Sequence, residues 1–547
     1  MAVSRRTRAA RGPNGALRRV LVAHVAAVVA EWASVVGTLV YAYERGGATA
    51  TGIASLCVLA PSVAGAPLAA ALLNGRRPAM VRLLGLAAQV VGYGLAAGAI
   101  VLELPVAAVV APIVFALIAL CTLRPTGAVL LPALARSSSE LTEGALQVAY
   151  CDNASALVGP LAAAALLWAG GPSAVLAACT AFVAVGFVAT LGTARHGPPA
   201  ARAEEIDGAR RGWRRSIDQL RSRPWTLRIL ATIWVRCALI GALDVLTVLL
   251  AFDALDLGSG GPGLLTSLVG VGALLSAALT TVVVRRSRLA PAVLIAIGGA
   301  AVLCAVLAAV TEVATAIVVL PLLGAAAAMI DGLARMLVQR SVDPRALASA
   351  FVAVEFVSGV GVLAGSGIAQ LLVLASSTDA ALVGMAALFL LVLVGTARSL
   401  WRADATADVP TVEMSLLARL PMFAPMQPLA LEAVARAADH IAVADGEVVV
   451  RQGEHGDRFY AVVDGSFDVV MSGEHIRAAE RGSCFGEVAL LADVPRTATV
   501  TARGAGHLLA VERVPFLTAV TGSDTSRSAA WGVVHAMDLD GQVPRPE

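Results

Sequence analysis

Two side chains nearly ten residues apart carry the most specific chemistry in this chain. They lie in the run Gly482-Ser-Cys-Phe-Gly486-Glu487-Val488-Ala489-Leu-Leu-Ala-Asp-Val-Pro495-Arg496-Thr497-Ala498-Thr-Val500. Gly486 lets the backbone turn tightly into a short helix over 487–491, whose first N–H groups point at an anion. Glu487 can accept a hydrogen bond from a sugar hydroxyl. Pro495 restricts the chain just before Arg496, whose guanidinium forks onto a phosphate. One phosphate and one hydroxyl-bearing sugar describe a cyclic mononucleotide. A lone Glu–Arg pair is more often a surface salt bridge, but the specified positions around this one argue against that reading.

A second set of charges is embedded in apolar runs: Glu31, Arg124, Asp152, Arg236, Asp244, Asp331, Arg335 and Glu355. Ionisable groups at membrane depth are costly and face a bundle interior or a water-filled path. Glu31, Asp152, Asp244 and Glu355 are the candidates for proton coupling or for holding a cationic substrate. For each alone, a packing role paired with an arginine is as good a reading. Asp331 and Arg335 are four apart, so they pair on one helix face and read as structural. The chemistry of enzymes is missing. The 41 lysine-plus-arginine residues are all arginine, which excludes lysine nucleophiles and Schiff bases. The seven cysteines form no C-x-x-C pair and read as small buried hydrophobes, so no metal site is expected. There is no G-x-x-x-x-G-K-[ST] loop for nucleotide hydrolysis and no nucleophile–base spacing. No catalytic residue is assigned, and any transport is expected to be secondary, driven by a gradient.

The elements that must position these groups follow from composition. Of the 547 residues 58% are hydrophobic and 14% charged, with mean hydropathy +0.80; one soluble core cannot hide that much apolar surface. About twelve stretches reach the roughly 20 apolar residues a span requires: 20–43, 48–73, 79–102, 105–135, 143–169, 172–194, 225–252, 262–284, 289–311, 313–339, 346–374 and 379–400. Alternate loops carry the arginines (the N-terminus, 76–82, Arg136, 195–228, 285–288, 340–345 and 398–402), which places them and both termini on the cytoplasmic side of the cell's plasma (inner) membrane. The first apolar run is too long for a signal peptide and reads as the first span. The two halves repeat. Each has a glycine-rich loop after its first span and an arginine pair after its second, at Arg76-Arg77 and at Arg285-Arg286. Residues 1–194 and 225–402 are the two six-helix halves. Between them 195–224 is a basic cytoplasmic linker, either an amphipathic helix at the headgroups or a solvated connector. After a short polar linker, 413–540 begins with helical spacing. It then turns to short β runs separated by glycine turns, among them Asp464-Gly465, which suggests a small roll with flanking helices.

At the Phe485–Val500 residues the sequence resembles the cyclic-nucleotide-binding domain of cyclic-AMP receptor proteins, cyclic-nucleotide kinases and gated channels. That resemblance implies Glu487 on the ribose 2′-hydroxyl and Arg496 on the cyclic phosphate. It also implies backbone amides near Gly486 and Thr497 completing the cradle, with Val488, Ala489 and Ala498 lining it. A C-terminal helix would lid the base; here 523–540 is available, with Trp531, Val534 and Met537 as contacts. Receptor proteins carry a DNA-binding segment after the roll. Too few residues follow here, so DNA binding is not expected. Thr497 leaves cyclic GMP open, and cyclic AMP is the first choice. Residues 15–400 resemble the major facilitator superfamily, in particular its multidrug and siderophore exporter branch. The text that carries this is Tyr41-Ala-Tyr43-Glu-Arg-Gly-Gly-Ala48 with Gly52, Pro61 and Pro67, then Leu131-Pro-Ala-Leu134 and Gly159-Pro160. The loop between spans two and three departs from that family: Asn74 stands where its aspartate belongs.

The reading is therefore multidomain: an all-α polytopic membrane bundle followed by a β-roll. The expected function is a gradient-driven exporter-type transporter of an unknown small molecule, regulated by a bound cyclic nucleotide and using no cofactor. The alternative, to which Asn74 gives weight, is a membrane-anchored cyclic-nucleotide receptor that does not transport.

Overall fold

The computed structural model describes residues 14–63, 77–135, 138–191, 224–284, 289–309, 312–341, 347–406, 411–426, 428–522 and 524–536. Asn74 and nearly all of the 195–224 linker lie outside them. The chain forms two compact units, Met1–Arg136 with Glu143–Ala407, and Asp408–Glu547 with Ser137–Thr142.

The first unit is helical: α1 Gly15–Leu59, α2 Pro78–Val101, α3 Val106–Leu120, α4 Leu123–Leu134, α5 Ser138–Thr190, α6 Pro224–Leu249, α7 Gly261–Val284, α8 Ala290–Leu307, α9 Val313–Ser341, α10 Leu347–Ala375 and α11 Thr378–Thr406. A π-helical turn, Leu250–Ala254, continues α6. Among the described residues nine helices are long and apolar enough to cross a membrane. Two of them are double. Helix α1 leaves helical geometry at Gly46 and Gly47 (φ −155° and 57°), and α5 does so at Gly171 (φ 72°), at the boundaries expected between spans 20–43 and 48–73 and between 143–169 and 172–194. The apolar stretch Gly261–Ser276 of α7 is shorter. Taken limb by limb, these are the twelve expected crossings. The expected span 105–135 is interrupted between α3 and α4. Pro125 has no N–H to give the Cys121 carbonyl and its ring crowds that carbonyl, so the helix restarts.

Each half has its own apolar core, one built on α1–α5 and one on α6–α11. Glycine lets backbones touch within the second half. A Cβ at Gly241 of α6 would strike the Val362 carbonyl of α10, and one at Gly365 of α10 would strike the Ala238 carbonyl of α6. Gly272 of α7 and Gly324 of α9 meet the Pro321 and Val269 carbonyls in the same reciprocal way. The halves meet along a seam. In it Gly263 and Gly270 of α7 lie against the Pro160 and Ala156 carbonyls of α5 (2.6 and 2.7 Å from a built Cβ), and Ser55 of α1 bonds Ser366 of α10 at 2.9 Å. At one end of the seam Tyr43 stacks on Phe252 (centroids 4.4 Å apart) and its hydroxyl donates to Asp253.

The second unit is the roll: α12 Thr411–Leu417, α13 Pro428–Arg436, β1 Ala438–Val443, β2 Val448–Val450, β3 Arg458–Met471, β4 Glu474–Ala479, β5 Cys484–Phe485, α14 Glu487–Leu491, β6 Thr499–Glu512, α15 Arg513–Thr521 and α16 Asp524–Ala536. The antiparallel sheet runs β1-β6-β3-β4, with β2 on β6 and β5 on β3. The expected turn at Asp464-Gly465 does not end a strand. Chain 458–471 is one strand whose pairing with β6 shifts register on either side of Asp464. Gly465 has φ +91°, and a Cβ there would lie 2.9 Å from the Gly506 Cα across the pair. Two glycines facing each other at a bulge bend both strands together, which curls the sheet. Inside the curl pack Val462, Phe467, Phe485 and Leu508. Outside it, Phe423, Phe459 and Phe516 meet ring to ring (4.7–6.1 Å) and fasten the flanking helices.

Candidate functional site: a phosphate-and-sugar pocket on the roll

Helix α14 starts from Gly486, whose φ of 90° only glycine adopts without strain. Space demands glycine there too: a Cβ would lie 2.5 Å from Arg496 Nη1 and 3.1 Å from the Arg458 carbonyl. Gly456, in the turn before β3, is held to the same standard, with a Cβ 2.8 Å from that of Ala489 and 3.2 Å from Arg496 Cζ. The two glycines make room for one guanidinium.

Arg496 is 5% exposed. Nη1 donates to the Gly486 carbonyl (3.0 Å) and Nη2 to the Arg458 carbonyl (2.7 Å), while Cζ lies 5.8 Å from the centre of the Tyr460 ring. Its backbone is clamped as well: Arg496 N–H donates to the Glu454 carbonyl and Gly453 N–H to the Arg496 carbonyl, both at 2.8 Å. The nearest carboxylate, Asp457 at 3.7 Å, is largely in solvent. Burial lowers the guanidinium pKa, opposed by Tyr460, Asp457, Glu487 and Glu454. The cation is thus fixed by neutral carbonyls and a ring, and only weakly neutralised.

Glu487 is 1% exposed, and among the described residues its Oε2 has no hydrogen-bond partner. Burial raises its pKa; its own backbone N–H, Arg477 and Arg496 pull the other way. A buried acceptor without a donor costs roughly 1–3 kcal/mol, which a ligand hydroxyl would recover. Arg477 of β4, which sequence reasoning missed, donates to the Cys484 carbonyl at 2.7 Å and bears on Glu487 electrostatically. The signal was a lone arginine beside two alanines on a short strand. Burial pushes the neighbouring Cys484 thiol well above its usual pKa, so it stays a neutral wall. Val488 and Ala489 are buried residues of α14, and Thr497 and Ala498 are half-buried beside Arg496. The segment expected to lid the base forms the helix α16, with Ala530 buried in the outer core. Trp531 is half-buried on it, and Met537 lies outside the described residues.

The membrane charges fall into separate groups. Asp152 on α5 meets His24 of α1 at 2.6 Å, and His24 is 4% exposed; the sequence reading had not singled out that histidine. Arg335 bonds both Asp331 (3.1 Å) and Glu355 (2.8 Å), and Arg236 completes the group 3.4 Å from Asp331. Glu31 and Asp244, on α1 and α6, belong to neither group. The side chain of Arg124 lies outside the described residues.

Comparisons with known proteins divide along the same line. The family description "Cyclic nucleotide-binding domain" matches residues 440–521. Curated relatives match this part. One is a cAMP-dependent protein kinase regulatory subunit of Blastocladiella emersonii, 36% identical over 106 residues, 18% of this chain and 26% of that protein. Another is a cGMP-dependent protein kinase of Plasmodium berghei, 50% identical over 58 residues, 11% of this chain and 7% of that protein. The chain thus spans about a quarter or less of the length of these relatives. Among solved structures, the cAMP complex of the regulatory domain of Toxoplasma gondii PKA is 28% identical, with a TM-score of 0.22; the match covers 25% of this chain and 56% of that one. The description "Major Facilitator Superfamily" matches residues 20–365. That match takes in more than half of the chain and reaches into both helical halves, and the protein is a member of the Major Facilitator Superfamily, with a cyclic nucleotide-binding domain fused behind its helices.

Proposed function

We propose that the chain is a gradient-driven, exporter-type transporter of a small molecule, without enzymatic activity, whose conformational equilibrium is biased by cyclic AMP bound to the roll. The observation that carries the regulatory half is Arg496, a buried cation held by two carbonyls beside an unsatisfied Glu487 oxygen. Such a pair is complementary to a cyclic phosphate and a ribose hydroxyl, and Gly486, Val488, Ala489, Thr497 and Ala498 frame it. Cyclic AMP is preferred to cyclic GMP because several curated relatives are named for it. For the membrane half, Glu31, Asp152, Asp244 and Glu355 are the proposed coupling or substrate carboxylates. In this reading both termini face the cytoplasm in the plasma membrane, which the arginine-rich loops favour, and no DNA is bound.

Linkage makes the proposal testable: a ligand that favours one transport state must bind that state more tightly. Proteoliposomes carrying the full-length protein under an imposed pH gradient are screened with candidate substrates, with and without cyclic AMP. The expected result is a flux that cyclic AMP changes by roughly 5- to 150-fold, the range of typical coupling energies. Flux indifferent to cyclic AMP, with nucleotide still bound, would make the roll a passenger. Binding with no flux for any solute would favour a tethered receptor.

A further inference from the structure

Residues Asp244, Val248 and Phe252 recur at four-residue spacing along α6 and its π-helical turn, and therefore share a face. The environment of that face is known at two points. Val248, 1% exposed, belongs to the apolar core of the opposite half, and Phe252 stacks on Tyr43 of α1. Asp244 is one turn further along, about 12 Å from the Phe252 end by helical rise, and so stands in the seam between the halves.

It is alone there. Among the described residues no hydrogen bond or ion pair reaches its carboxylate, whereas Asp152 is held by His24 and Asp331 and Glu355 are held by Arg335. The helices packed against α6 carry Glu31 on α1, Asp331 and Arg335 on α9, Glu355 on α10, and Asp379 and Arg398 on α11; none pairs with Asp244. A carboxylate anion without a partner in an apolar seam costs several kcal/mol unless a cation compensates it. The seam is the surface that opens and closes when two halves rock.

We propose that Asp244 is the cation-carrying carboxylate of the transport path, taking a proton or a positively charged organic substrate when the seam is closed to water. This rests on the transport reading and narrows it: Asp152 and Glu355 keep fixed partners, and Asp244 exchanges its own.

The test needs no known substrate and no flux. Full-length protein in detergent is treated with dicyclohexylcarbodiimide, which attacks protonated carboxyls in apolar surroundings. The modified residue is mapped by mass spectrometry across pH, with and without tetraphenylphosphonium as a lipophilic cation. Label is expected on Asp244, falling roughly tenfold per pH unit once the acid titrates, and absent in Asp244→Asn. Slowing by tetraphenylphosphonium identifies an organic cation as an occupant; pH dependence without slowing identifies the proton alone. Label confined to Asp152 or Glu355, or label on Asp244 indifferent to both pH and cation, overturns the proposal. The wild-type map decides even if the variant fails to fold. A negative map leaves the transport reading to the flux assay.

Discussion

The roll and the membrane unit handle buried charge in opposite ways. In the membrane unit Arg236, Asp331, Arg335 and Glu355 neutralise one another across three helices. In the roll Glu487 and Arg496 are both almost wholly buried, yet they do not form a pair; carbonyls hold the cation and the anion keeps an idle oxygen. Mutual neutralisation makes charge part of the scaffold. Charge held apart by neutral groups stores the desolvation cost until a ligand with the right two groups arrives.

The contrast makes opposite demands on substitution. The largest effect is expected for Arg335→Leu, which takes its cation from Glu355 and leaves Asp331 to Arg236 alone. Breaking a buried pair costs about 3–5 kcal/mol, and because Glu355 is 53% exposed the lower end applies. Thermal unfolding in detergent should show the loss, and the double variant Arg335→Leu/Glu355→Leu, which leaves Asp331 paired with Arg236, should recover most of it. If the single variant is as stable as wild type, the network is not scaffold. Next comes Arg496→Leu. Loss of a charge-assisted phosphate contact of roughly 1.5–3 kcal/mol should weaken cyclic AMP about ten- to a hundredfold in calorimetry, with membrane-unit stability unmoved. Unchanged affinity would remove the pocket assignment.

Glu487→Gln separates stability from binding. Burial raises the Glu487 pKa, so the ligand-free fold holds that proton more tightly than the unfolded chain does. Stability must then fall as pH rises from the ordinary carboxylate range through the raised value. Glutamine has no charge to desolvate. The variant should be more stable than wild type at neutral pH, by roughly a few degrees in Tm. The advantage should shrink as pH drops through the raised value and be gone below the ordinary glutamate range, while cyclic AMP affinity falls at neutral pH. A stability gap independent of pH would mean Glu487 is not strained by burial. The smallest effect is expected at Tyr43→Phe, which keeps the stack on Phe252 and loses the hydroxyl's bond to Asp253. About 1 kcal/mol should appear as a fall of about one or two degrees in Tm in detergent.

The roll's site was readable because its parts are contiguous. Gly486, Glu487 and Arg496 share one stretch, and local rules of turn, helix start and fixed cation apply within it. What the sequence left out was what closes over that stretch: Gly456, Tyr460 and Arg477 come from β3, β4 and the turn before β3. The spans were likewise readable, since length, hydropathy and Gly46-Gly47 or Gly170-Gly171 are local signals. The interruption at Pro125 could have been seen from the proline alone. Pairings across helices could not. His24 and Asp152 are 128 positions apart, and periodicity places each on a face without saying which face meets which. The bent β3 escaped for a related reason: Asp464-Gly465 reads as a hairpin turn unless Gly506 is known to lie opposite.

The reciprocal glycine contacts of the second half set its mechanics. Where Gly241 abuts the Val362 carbonyl and Gly365 abuts the Ala238 carbonyl, no layer of side chains lies between α6 and α10 to repack; α7 and α9 are joined in the same manner through Gly272 and Gly324. Rotamer changes absorb displacement in ordinary cores, and here there is little to absorb it. Each helix couple is therefore stiff, and α6 and α10 are expected to move as one body. A methyl group at Gly241 or Gly365 would act as a wedge, and softening would spread to every lever arm that depends on the couple.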